Sequence, residues 1–181
     1  SREKHVMWTI LVTLLDQAAG LTTTPIKESP KMMTVGVPVT KFYRSIQLDE
    51  YSCGARCSYM LTKHYGLRKS YKAVKKGVRT TTDGTYDTNI AKYLRKLGLR
   101  VRSRHPMTLR SLRQELADGS LAIVTVDDLS HYMVVHGVVM KDKRVTHVLT
   151  ADPSFVRGPW RRVQVDTFLA RWDKYALLVR N

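Results

Sequence analysis

A chain of 181 residues, 43% hydrophobic and 25% charged, suits one globular core that needs no staple. Its two cysteines, Cys53 and Cys57, exclude a disulfide framework and a CxxC zinc pattern, and no apolar run reaches the roughly 20 residues of a membrane-spanning helix. The formal charge of +16 draws acidic partners, whether nucleic acid, anionic lipid or an acidic protein, but it is spread along the chain, and an ordinary basic surface is the preferred reading.

Arg2, Lys4 and His5 precede an apolar run from Val6 to Leu15, with Ala18, Ala19 and Gly20 behind it. This imitates a secretory signal, and secretion stands as the alternative. Glu3 and Asp16 favour instead a helix over residues 5–19, packed on the domain or on a partner, in a cytoplasmic protein. Residues 20–37, with Pro25 and Pro30, read as a linker or surface-wrapping arm. The chain thus divides into an arm, residues 1–37, and a domain, residues 38–181.

Cys53 to Tyr65 has helical spacing, with Cys57, Met60, Leu61 and His64 on the Cys53 face and Gly66 as a stop. A short helix is predicted over residues 71–76, and another over 87–97 ending at Gly98. Residues 99–103 read as a strand. Thr108 is placed to cap a helix carrying Leu109, Leu112 and Leu116, which stops at Gly119. Strands are then predicted at 121–126, 131–140 and 144–152, the last two flanking the polar turn Lys141–Lys143 as a hairpin. A further strand over 160–165, a helix capped by Asp166 and running to Trp172, and a strand over 175–179 complete the chain. Helices first and an antiparallel sheet second make an α+β fold.

The chemistry concentrates around Cys53. A thiol at a helix N-terminus feels the positive end of the helix dipole, which favours the nucleophilic thiolate. Gln47, six residues upstream, is placed to donate an N–H to an oxyanion. His64 shares a face with Cys53 but lies eleven residues on, roughly 16 Å along the helix, too far to take its proton. His5 and His105 read as solvated or structural. With the hairpin turn centred on residues 141 and 142, His131 faces Asp152 and His136 faces His147. A carboxylate can orient an imidazole and stabilise its protonated form, so His131–Asp152 is the functional pair. His136–His147 has no evident further ligand, and neither a metal nor a cofactor is expected. Cys57 reads as a small buried hydrophobe. The set Gln47, Cys53, His131 and Asp152 points to cysteine-dependent acyl transfer, foremost a peptidase.

With those residues in place, the chain resembles the bacteriocin-processing, double-glycine leader cysteine peptidases. The resemblance rests on Gln47 and Asp49, the step to Cys53–Gly54, Tyr65–Gly66, residues 131–138 (HYMVVHGV), 151–154 (ADPS) and the pattern from Phe168 to Trp172. It implies a papain-like fold, with the nucleophile helix in an N-terminal helical half packed on a C-terminal antiparallel sheet. It also implies a Cys53–His131–Asp152 triad, with Gln47 in the oxyanion hole and a peptide or protein substrate. Members are commonly fused to transporter domains, and this sequence contains no Walker-type motif, so a stand-alone relative is expected. Amidase, deamidase or transpeptidase chemistry is the nearest alternative. A non-catalytic basic module binding nucleic acid or an acidic protein is the more distant one.

Overall fold

The computed structural model describes residues 31–154 and 161–181. The helix expected over residues 5–19 and most of the arm lie outside the described residues. Among those described, seven strands form one antiparallel sheet: β1 Met32–Gly36, β2 Arg100–Arg104, β3 Leu121–Val126, β4 His131–Lys141, β5 Arg144–Ala151, β6 Arg162–Gln164 and β7 Trp172–Arg180. Their order is β2-β7-β3-β4-β5-β6, with β1 paired to the second half of β4. The helices are α1 Cys53–His64, α2 Tyr71–Gly77, α3 Asp87–Lys96, α4 Leu109–Ala117 and α5 Val165–Arg171.

β3 shows why the sheet is central. All six of its residues are buried, because both faces are covered. Leu121 and Ile123 join a core with Met60 and Leu61 of α1 and Ile90 and Leu94 of α3. Ala122, Val124 and Val126 join a second core with Leu112 and Leu116 of α4 and Phe168 of α5. A strand buried on both sides loses the alternation of a half-exposed one and reads as an unbroken apolar run.

Local signals set the helix ends. Gly66 follows α1 with a φ of +70°, and the Leu67 N–H reaches back to the Thr62 carbonyl at 2.8 Å, satisfying a carbonyl the helix leaves open. Thr108 and Ser111 cap α4 reciprocally. α5 begins two residues earlier than expected: Gln164 is its N-cap, and Asp166 sits in the first turn, where its charge favours the helix dipole. The Tyr65 hydroxyl donates to the Val179 carbonyl at 2.7 Å, pinning the far end of α1 to β7.

Two differences from the sequence reading matter. Met32–Gly36, read as part of the arm, is a strand whose side chains are mostly exposed, so it carries no burial pattern to detect. It lies close on β4 because Gly137 has no side chain; a Cβ there would meet the Val35 carbonyl oxygen at 2.8 Å. The hairpin also turns later than expected. Asp142 and Lys143 both adopt positive φ, forming a two-residue turn that pairs Lys141 with Arg144. Two bulges then shift the register along β4 and β5, so His147 faces Val139, not His136.

Candidate active site

Asp49 organises the start of α1. Its Oδ1 accepts the backbone N–H groups of Ser52 at 2.7 Å and Tyr51 at 3.2 Å, and its Oδ2 pairs with Lys75 of α2 at 3.0 Å. Burial acts to raise the Asp49 pKa, but the bonds from Ser52 and Lys75 prevail and hold it below the usual carboxylate range. The result is a fixed helix N-terminus with Cys53 as its first residue, buried to 7% exposure. The Cys53 N–H lies in the first turn, whose donors have no acceptor within the helix. Gly54 lets that turn approach the chain at Thr85: a Cβ would stand 2.9 Å from the Thr85 Cβ.

His131 opens β4, and Asp152 follows the end of β5. Val134 pairs with Ala151, so His131 and Asp152 meet diagonally past the end of the ladder, not as a directly opposed pair. His131 Nε2 nevertheless lies 2.7 Å from Asp152 Oδ1. Asp152 is fully buried, and the imidazole is 11% exposed. The Cys53 side chain lies near enough to His131 to act on its titration. Burial lowers the His131 pKa, but its interactions with Asp152 and Cys53 outweigh it and lift it to about 9. The imidazole is therefore protonated at neutral pH.

Gln47 lies beside the Asp152 segment, its backbone N–H donating to the Pro153 carbonyl at 2.8 Å. Its Nε2 donates one hydrogen to the Asp49 carbonyl at 2.7 Å, which leaves the second N–H available. Among the described residues no hydrogen bond joins Gln47 to Cys53. The structure therefore bonds His131 to Asp152, brings Cys53 near the imidazole, and sets Gln47 next to the Asp152 segment through the backbone.

The other histidines are elsewhere. His64 ends α1, its ring tilted 31° to that of Phe42 at 5.5 Å. His136 is buried, lies parallel to the Phe42 ring at 4.5 Å, and donates from Nδ1 to the Val37 carbonyl at 2.7 Å. It anchors the chain just after β1. His147 contacts Thr146 on the neighbouring strand position.

Sequence reasoning missed the cleft beside Cys53. It has a volume of about 460 Å³, and its lining includes Tyr51, Tyr86, Leu129, Ser130 and Tyr132. Leu129 closes a run of three residues with positive φ, Asp127 to Leu129, held by the Asp173 carboxylate, which accepts the N–H groups of Asp128 and Leu129. Three non-glycine residues in that conformation give no signal in a sequence. Arg44, which holds the Asp152 segment, was also missed, since one arginine among 31 basic residues does not stand out.

A helix-terminal thiol, an imidazole from a facing strand and a carboxylate behind it, on an α+β frame, define a papain-like cysteine peptidase. Residues 41–181 match the model of the Peptidase C39 family, and the chain belongs to that family. Solved structures agree on the fold. The peptidase domain of Streptococcus ComA, a bi-functional ABC transporter involved in a quorum sensing pathway, superposes with a TM-score of 0.65 at 21% identity, covering 76% of this chain and 97% of that one. A double glycine motif protease from an AMS/PCAT transporter, in complex with its leader peptide, gives 0.63 at 17% identity, covering 82% and 98%. The N-terminal peptidase C39 like domain of a toxin secretion ATP-binding protein from Vibrio parahaemolyticus gives 0.56 at 11%, covering 74% and 99%. Comparison with curated protein sequences returned no match.

Proposed function

We propose that this peptidase cleaves its substrate through a thioester on Cys53, with His131 as acid and base, Asp152 orienting His131, and Gln47 with the Cys53 N–H receiving the oxyanion. The observation that carries the reading is the position of His131, bonded to Asp152 at 2.7 Å and near enough to Cys53 for the two to influence each other electrostatically. An imidazolium beside sulfur stabilises the thiolate that attacks the scissile carbonyl. The carbonyl oxygen gains the negative charge, which donors from Gln47 and the first turn of α1 neutralise. As the tetrahedral species collapses, the C–N bond breaks and His131 gives its proton to the departing amine. Neutral His131 then takes a proton from water, which attacks the thioester and releases the acid and the thiolate.

The natural substrate class we assign is a peptide whose leader ends in two glycines. Its support is the likeness in fold to a double glycine motif protease that was crystallised with a leader peptide. The test is mass spectrometry of peptides carrying Gly-Gly, or Ala-Ala, before the expected bond, digested in ¹⁸O water by the parent and by Cys53→Ala. Cleavage after Gly-Gly by the parent alone, with one ¹⁸O in the new carboxylate, supports the reading. Joining to an added amine points to transpeptidation, and a gain of about three daltons in ¹⁸O water at a side-chain amide, with the backbone uncut, points to deamidation. Turnover that survives Cys53→Ala overturns the thioester mechanism.

A further inference from the structure

The stretch from Arg44 to Gln47 grips three consecutive carbonyl groups of the segment that follows β5. Arg44 Nε donates to the Asp152 carbonyl at 2.7 Å, the Gln47 N–H to the Pro153 carbonyl at 2.8 Å, and Arg44 Nη2 to the Ser154 carbonyl at 3.1 Å. The same stretch is fastened to the nucleophile helix. Arg56, in the first turn of α1, donates from Nη1 to the Ser45 hydroxyl at 3.0 Å, and its guanidinium lies 3.4 Å over the Tyr71 ring. Residues 44–47 therefore tie together the backbones that carry Gln47, Cys53 and Asp152.

We propose that Arg44 is a positioning residue for the reaction, fixing the backbone from which the Asp152 carboxylate meets His131. This rests on the roles assigned under Proposed function. Arg44 donates to main-chain oxygens of the segment, and Asp152 Oδ1 is taken by His131 and by the Ser154 N–H at 2.8 Å. Its charge also acts directly on the Asp152 carboxylate, and its positioning effect on the imidazole passes through the turn it clamps. One planar guanidinium supplies two donors spaced to bridge the carbonyls of residues 152 and 154. A lysine ammonium is a point charge on a flexible stem and lacks that fork. Releasing the clamp frees the turn and lets the carboxylate drift, and a shift of about 1 Å in such a group costs on the order of a hundredfold in rate.

The experiment compares the parent, Arg44→Ala and Arg44→Lys, each checked for folding by circular dichroism. Two readouts are taken: the His131 titration midpoint by NMR, and kcat and KM on the Gly-Gly peptide. The expected result is a midpoint below the parent's value of about 9. It comes with a kcat loss of about tenfold or more at a nearly constant KM, and methylguanidinium added to Arg44→Ala restores both. Arg44→Lys, which keeps the charge and stem, shows the same direction of change and carries the test if Arg44→Ala does not fold. A folded variant whose His131 midpoint stays at the parent's value overturns the inference, as does an unchanged kcat. Parent activity that depends on Cys53 but ignores Arg44 sinks this inference alone; activity that survives Cys53→Ala sinks the mechanism beneath it.

Discussion

Asp152 Oδ1 accepts from two directions, from His131 Nε2 at 2.7 Å and from the Ser154 N–H at 2.8 Å, so the carboxylate that holds the imidazole is held by its own turn. Asp152→Asn keeps an acceptor in that place but removes the charge. The expected outcome is a fall in kcat of about 10²- to 10⁴-fold, the range for loss of a well-tuned acid–base group, and a lower His131 midpoint. Steady-state kinetics and NMR titration check it; an Asn variant with parental kcat refutes the role given to Asp152.

The raised His131 pKa predicts how activity and stability respond to alkali. Burial opposes the charge, yet Asp152 and Cys53 raise the folded value to about 9 from an ordinary 6.5. Below 6.5 folded and unfolded chains both hold the proton, and the stabilisation is fully present. Between the two values only the folded chain holds it, so the stabilisation erodes and is gone once the pH passes about 9. Activity is expected to fall over the same upper limb, since the leaving amine needs that proton. Thermal midpoints and kcat/KM across this range, in the parent and in His131→Asn, test both; an alkaline limb in the parent near 6.5 contradicts the prediction.

His136 predicts the opposite response at acid pH. Its burial is the largest influence, and its pKa is pushed down to about 4 despite the acceptors at Val37 and Thr150. Above 6.5 neither state is protonated and the neutral ring stabilises fully. As the pH falls from there through about 4, the unfolded chain binds a proton that the folded chain resists, and stability is lost. His136→Gln is expected to flatten this part of the stability curve in denaturant titrations. An equally steep curve in the variant removes His136 as the cause.

The two cysteines, four residues apart on α1, are expected to react very differently. Cys57 is completely buried, and burial, followed by the charges of Cys53 and Asp152, pushes its pKa well up. Iodoacetamide followed by peptide mapping is expected to modify Cys53 in the native protein and Cys57 only after denaturation. Cys57→Ala is expected to retain turnover while losing stability through the small cavity it leaves. Equal labelling of both thiols in the folded chain contradicts the reading.

Gly54 is predicted to be intolerant of the smallest side chain. Alanine is the better helix former by about 1 kcal/mol, yet its Cβ would meet the Thr85 Cβ at 2.9 Å and Ile90 Cδ1 at 3.1 Å. Overpacking of this kind costs about 1–3 kcal/mol, and here the strain falls on the turn that carries Cys53. Gly54→Ala is expected to be no more stable than the parent in urea denaturation and to lower kcat. A stabilised, fully active variant shows that the neighbouring segment can give way.

The helices and their ends were legible because their causes are local. Gly66 ending α1 and the Thr108 cap on α4 involve residues a few positions apart. The apolar run of β3 announced burial but not which elements cover its two faces, since those helices come from distant parts of the chain. Met32–Gly36 was not legible as a strand; it is held by backbone pairing to β4 and by the missing side chain of Gly137, a residue about a hundred positions away. The hairpin reading paired His131 with Asp152 through a turn placed too early. The contact forms all the same because the two residues lie beyond the ladder, where a carboxylate can reach diagonally.

Taken alone, the amino-acid order singled out the groups to which we assign the chemistry: a thiol opening a helix, an imidazole opening a strand, and a carboxylate closing the next one. Those choices depend on residue type and short-range spacing, which folding does not alter. Only the tertiary structure decided that Arg44 and Gln47 clamp the Asp152 turn, and that Leu129 and Tyr132 line the cleft beside the thiol. Such contacts join stretches about a hundred residues apart, and their geometry is set by strand register, bulges and the packing of both cores, none of which is written in any one local pattern.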